Sequence, residues 1–174
     1  MTTSTEKRPQ AKKTLLATTF APKQPTKPSL MSLTDFRNVY DSTPALRVRL
    51  IRQGVRAVEV KDMVRMMDTP QDKIFKFLRL STATINRKAS RDEELSAEDS
   101  ERVIGMSNLI GQVQAMVEQS GNPEGFDAAK WVAHWLEEPI PALGGECPAS
   151  YMDTMEGQKL VSNLLAIMQS GAYA

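Results

Sequence analysis

The sequence predicts an all-α protein, with a flexible tail over residues 1–31, a basic helical domain over 32–92 and a second helical domain over 93–174. Apolar residues recur at helical spacing in successive windows from Leu33 onward. Ser, Thr and Asp stand at the starts of these windows, and Gly or Pro at their ends. No segment alternates apolar and polar residues with the period of a strand.

Each element follows from these signals. Residues 1–30 hold four prolines, with Thr, Ser and Lys, and no apolar period, which is the composition of a flexible tail. Leu33, Phe36, Val39 and Tyr40 open the first helix. Pro44 starts a second at its first turn, where a missing N–H costs little, and Gly54 ends it. A third covers 58–67, with Val60, Met63, Val64 and Met67 on one face; Met63, Met66 and Met67 read as core filling. Thr69 as N-cap and Pro70 as first residue predict a fourth helix over 71–78. Ser81 caps a fifth over 82–88. Ser96, with Asp99 in a capping-box position, opens a long helix to residue 119. Asp127 caps a helix that Pro139 stops. A loop over 139–148 follows, and a last helix over 154–169 ends at Gly171.

Charge divides the chain. Residues 1–44 carry seven Lys/Arg against three Asp/Glu, and residues 45–91 carry twelve against four, a net +8. Residues 92–174 carry three against fourteen, a net −11. The basic part suits a polyanion, because each cation set on a phosphate releases a counterion. The acidic part would repel nucleic acid and calls for a different partner.

Residues 71–88 have the form of a helix-turn-helix. Ile74, Leu78, Leu80 and Ile85 fall at the spacing of its apolar anchors. The second helix would present Ser81, Thr82, Ala83, Asn86 and Arg87, with Lys88 beside them, the residue types that reach base edges and phosphates. Lys73, Lys76 and Arg79 lie where backbone contacts are made, and Gln71 is a further candidate for DNA contact. Two positions depart from the usual pattern. Arg79 stands where a turn glycine is common, and Phe75 where a small residue is common, so the two helices are expected to repack around the ring.

Enzyme motifs are absent: there is no Gly-rich phosphate loop and no nucleophile elbow. His134 sits among aromatics as a structural or interface residue, and Cys147 has no basic neighbour to make it a thiolate. One Cys and one His do not furnish a zinc site. No catalytic residue, metal or cofactor is expected. The absence of a long apolar run, of a signal-type leader and of a second cysteine points to a cytoplasmic protein without a membrane partner.

Residues 95–174 resemble the toxin-binding domain of Xre/MbcA/ParS-type antitoxins. The resemblance rests on Trp135-Leu136, Pro139, Ala142-Leu143-Gly144-Gly145 and Pro148, then Thr154, Gly157, Val161, Leu164 and the ending Gly171-Ala172-Tyr173-Ala174. The preceding segment is similar to the Xre (Cro-like) helix-turn-helix that such antitoxins carry. The resemblance implies neutralisation of a cognate RES-domain toxin that consumes or transfers from NAD, with Ser170, Gly171, Ala172, Tyr173 and Ala174 occluding its site. It also implies repression of the operon through operator DNA. A homodimer is expected from the short recognition helix, and from the helix over 96–119, whose apolar residues lie on more than one side. The alternative is a stand-alone helix-turn-helix regulator with an acidic dimerisation domain.

Overall fold

The computed structural model describes Met1, residues 31–121 and residues 123–170. Eight α-helices and two 3₁₀ turns are described: α1 Phe36–Asp41, α2 Pro44–Gln53, α3 Ala57–Met66, α4 Gln71–Phe77, α5 Thr82–Ser90, α6 Ala97–Gln119, α7 Ala128–Trp135 and α8 Met155–Gln169, with 3₁₀ turns Pro141–Leu143 and Pro148–Tyr151. Extended structure among the described residues is limited to one isolated bridge between Arg56 and Glu94.

The long helix α6 is the axis of the molecule. Val103, Ile104, Met106, Leu109, Ile110 and Val113 are all buried, and they point in several directions around the helix. A helix that is apolar on most sides must be covered on most sides. Here α1, α2, α7 and α8 all pack on it. The apolar surface that suggested pairing with a second copy is therefore consumed within the chain, and Met116 and Val117 also pack against the same core. That core is continuous from Leu33 to Leu165, on both sides of residue 92.

Close approach to α6 depends on glycine. A Cβ at Gly111 would lie 2.0 Å from the carbonyl oxygen of Phe36, so α1 crosses directly over that position. Buried polar groups tie the surrounding elements to the same helix. Ser107 donates to the carbonyl of Leu33 at 2.6 Å, and Ser100 accepts from the backbone N–H of Val55 at 2.9 Å. Gln112 donates to the carbonyl of Ser162 on α8 at 2.9 Å and accepts from its hydroxyl at 2.7 Å.

The expected caps Ser81, Ser96 and Asp127 each accept a backbone N–H in the first turn, and the structure adds Thr43 and Thr154, which do the same for α2 and α8. Three expectations are corrected. Pro70, with extended backbone, precedes α4 in place of Thr69, whose hydroxyl turns back to the carbonyl of Met67 at 3.2 Å. Asp99 does not complete a capping box, because its carboxylate binds Arg102. Met66 is exposed, while Met63 and Met67 fill the core. The 139–148 loop gains structure from the two 3₁₀ turns.

Candidate functional site

The helix-turn-helix is built on its apolar anchors. Ile74, Leu78, Leu80 and Ile85 are all buried. Phe75 is also fully buried, the largest such side chain, so the ring is absorbed as core and α4 packs against the second 3₁₀ turn. The turn is a Schellman motif. Leu80 N–H donates to the Phe75 carbonyl at 2.7 Å and Arg79 N–H to that of Lys76 at 3.1 Å, with Arg79 left-handed at φ 52°. Asp68 after α3 and Asp92 after α5 hold the same left-handed position, at φ 52° and 55°. Sequence reading looks for Gly or Asn at such ends and finds neither here.

The expected contact residues fall into different environments. Ala83, Arg87 and Ser90 form the exposed face of α5, opposite buried Ile85, and Asn86 flanks it. Ser81 is the N-cap, accepting from Thr84 N–H at 3.3 Å. The Thr82 hydroxyl donates to Asp72 at 3.0 Å, bracing α5 on α4. Asn86 accepts from Lys61 of α3 at 3.1 Å, and Lys88 donates to the carbonyl of Glu94 at 2.8 Å. Gln71 is partly exposed at the start of α4. Lys73 does not stand alone on the surface: its ammonium lies 2.9 Å from a Glu137 oxygen at the end of α7.

Sequence reading missed Lys61, Arg91 and Glu93. Their relevance depends on α3 packing against α5 and on the chain folding back after α5. It also did not foresee that Arg47 closes α1, donating to the carbonyl of Ser42 at 2.5 Å. The hydrogen bond from Arg56 to Asp92 ties the end of α5 to the start of α3, and it holds the guanidinium above its ordinary pKa.

The acidic half offers a second surface. Trp131 and Trp135 stack at 5.7 Å on α7, and Phe126 lies 6.2 Å from Trp131. His134 is exposed on the same helix, and the Cys147 thiol donates to the Glu137 carbonyl at 3.1 Å. A groove of about 630 Å³ runs between the first 3₁₀ turn and α8, lined by Leu143, Tyr151, Leu160, Asn163 and Ile167 among others. Interaction with the Glu146 side chain, with burial, holds the Tyr151 phenol above its ordinary pKa. The groove leads toward the C-cap of α8, Ser170, which is exposed and donates to the Ile167 carbonyl at 2.8 Å. Gly171, Ala172, Tyr173 and Ala174 lie outside the described residues. No helix among the described residues is long and apolar enough to cross a membrane.

A basic helix-turn-helix joined through one core to an acidic helical part with an open apolar groove defines a helix-turn-helix protein with a second, chemically different surface. Residues 46–107 match the family described as the antitoxin Xre-like helix-turn-helix domain, and residues 124–171 match the antitoxin Xre/MbcA/ParS C-terminal toxin-binding domain. The chain is also 46% identical over 139 residues to a Prs ADP-ribosylating antitoxin of Sphingobium sp. (strain YBL2), covering 80% of this chain and 87% of that protein. The chain belongs to the Xre/MbcA/ParS antitoxins, and is an antitoxin of a toxin–antitoxin system with a helix-turn-helix DNA-binding domain.

Proposed function

We propose that this antitoxin neutralises an ADP-ribosylating toxin of the RES class, holding it along the α8 groove and placing residues 170–174 in its NAD site. We further propose that α5 binds operator DNA and represses the operon. The observation that carries the first reading is the apolar exposure on α8. Met155, Leu160, Ile167 and Met168 make up four of the nine large exposed hydrophobics among the described residues. Of these, Leu160 and Ile167 share one face of the helix and line the groove, and an exposed apolar patch of this kind marks a protein interface. In the sequence, Tyr173 supplies a flat ring of the size that stacks in a nucleotide pocket. A net −11 over residues 92–174 suits a partner whose site attracts an anionic dinucleotide. The Sphingobium relative, whose name joins ADP-ribosylation of Prs to the word antitoxin, supports the reaction class. DNA binding as a homodimer would give each α5 its own half-site.

The test is co-expression with the cognate toxin, followed by inhibition assays on purified proteins. Deletion of 171–174 is expected to abolish inhibition while the complex still forms. Leu160→Asp with Ile167→Asp is expected to prevent the complex. A truncated protein that inhibits at equal concentration would remove the tail from the mechanism. A wild-type protein that neutralises a toxin of another class and does not bind one of the RES class would overturn the RES reading.

A further inference from the structure

At the end of α5, three cations converge on one carboxylate. Arg87 lies 3.5 Å from Glu93, and Lys88 and Arg91 lie 3.8 Å from it. Among the described residues no other carboxylate meets more than one cation. The backbone puts Glu93 there. Asp92 takes the left-handed conformation at φ 55°, and Glu93 N–H donates to the Lys88 carbonyl at 2.9 Å, closing a Schellman turn that folds Glu93 back over the last turn of α5. Asp92 itself is bound to Arg56, so it does not neutralise the cluster.

The contacts are ionic only. None of the three reaches Glu93 through a hydrogen bond; Lys88 donates instead to the Glu94 carbonyl. The guanidinium donors of Arg87 and Arg91 therefore face a charge without being satisfied by it, and both side chains are at least half exposed. One carboxylate against three cations leaves two positive charges uncompensated. A phosphate diester offers oxygens that accept from an ammonium and a guanidinium at once, which Glu93 does not do here.

We propose that Lys88 and Arg91, beside the base-reading Arg87, form a binding site for a DNA backbone phosphate, and that Glu93 occupies it as an internal stand-in until DNA displaces it. The proposal rests on the DNA-binding reading of α5 and adds to it Arg91 and an acidic residue that lowers affinity. Because an exposed ion pair of this kind is weak, the exchange is easy. Glu93 then acts on all sequences alike, since phosphate contacts position the protein without reading bases.

The experiment measures fluorescence anisotropy of two labelled duplexes, one from upstream of the gene and one unrelated, across a salt series. Glu93→Gln is expected to tighten binding to both duplexes by roughly two- to fivefold, the equivalent of one exposed ion pair. Arg91→Gln is expected to weaken both, and to lower the slope of log K against log salt by about 0.9, the loss of one phosphate contact. Thermal melts of both variants by circular dichroism check the fold; Arg91 is well exposed, so its variant remains informative if Glu93→Gln is unstable. Unchanged or weaker binding by a folded Glu93→Gln protein, or unchanged binding by Arg91→Gln, overturns the phosphate site. If that happens while Arg87→Ala still alters preference for the upstream duplex, the DNA-binding reading stands without the site. If wild-type protein binds neither duplex at any salt, both fall together.

Discussion

The side-chain oxygen of Gln158 on α8 occupies the space that a Cβ on Gly105 of α6 would need: the two would be 1.6 Å apart. The Gln158 amide nitrogen is fixed by the carbonyls of Met152 and Arg102, at 2.9 and 3.1 Å, so the oxygen has nowhere to turn. That oxygen has no hydrogen-bond partner and lies against the glycine backbone. Gly105→Ala is expected to destabilise the protein by about 1–3 kcal/mol, the usual range for overpacking. Urea titration checks it, and Gln158→Ala in the same chain should recover part of the loss. Additive losses in the double variant would show that the two residues do not compete for space.

Arg79 holds a left-handed conformation that an L-residue adopts at a cost of about 1–2 kcal/mol. Its contact with Asp153 is long, at 3.9 Å, and exposed. Arg79→Gly should therefore raise stability, by up to about 1 kcal/mol once the greater freedom of glycine in the unfolded chain is counted. A lower melting temperature in that variant would contradict the strain argument.

Ser100 is fully buried and accepts the Val55 N–H, which connects α6 to the loop between α2 and α3. Ser100→Ala leaves that N–H buried without a partner. The expected loss is about 1–3 kcal/mol in chemical denaturation, against a few tenths for a surface serine.

Arg87 stands at the centre of the exposed face of α5. Arg87→Ala should weaken operator binding by about 1–3 kcal/mol and relax base preference in a gel-shift titration. Lys73→Ala should weaken all duplexes alike, since Lys73 must leave Glu137 to meet a phosphate. If Arg87→Ala and Asn86→Ala both leave operator affinity unchanged, α5 is not the reading helix.

Tyr173→Ala is expected to cost about 2 kcal/mol or more in toxin affinity, as for an aromatic anchor buried in a desolvated pocket. Calorimetry with the cognate toxin measures it. A change of a few tenths would mean that the ring stays outside the toxin site.

The eight helices were legible because their signals are local. A cap such as Ser96 or Asp127 needs only the N–H two or three residues ahead. The anchors Ile74, Leu78, Leu80 and Ile85 were legible for the same reason: their spacing alone places them on one side of two helices joined by a tight turn. Helix ends at Asp68, Arg79 and Asp92 were harder, because the left-handed residue is not glycine and packing holds it in place.

The sequence by itself determined the all-helical class, the positions of the helices and the division of charge, since periodicity, capping and composition are properties of neighbouring residues. The tertiary structure alone decided which polar residues remain available. Thr82 is drawn to Asp72, Asn86 to Lys61, Lys73 to Glu137, and Arg87, Lys88 and Arg91 to Glu93. It also decided that the apolar faces of α6 are filled from within the chain, while α8 buries Val161, Leu164 and Leu165 and, among the described residues, leaves Leu160 and Ile167 exposed. The reason is physical: whether an apolar stripe or a charge is satisfied depends on what lies across from it. For α6 those neighbours come from α1, at one end of the chain, and α8, at the other.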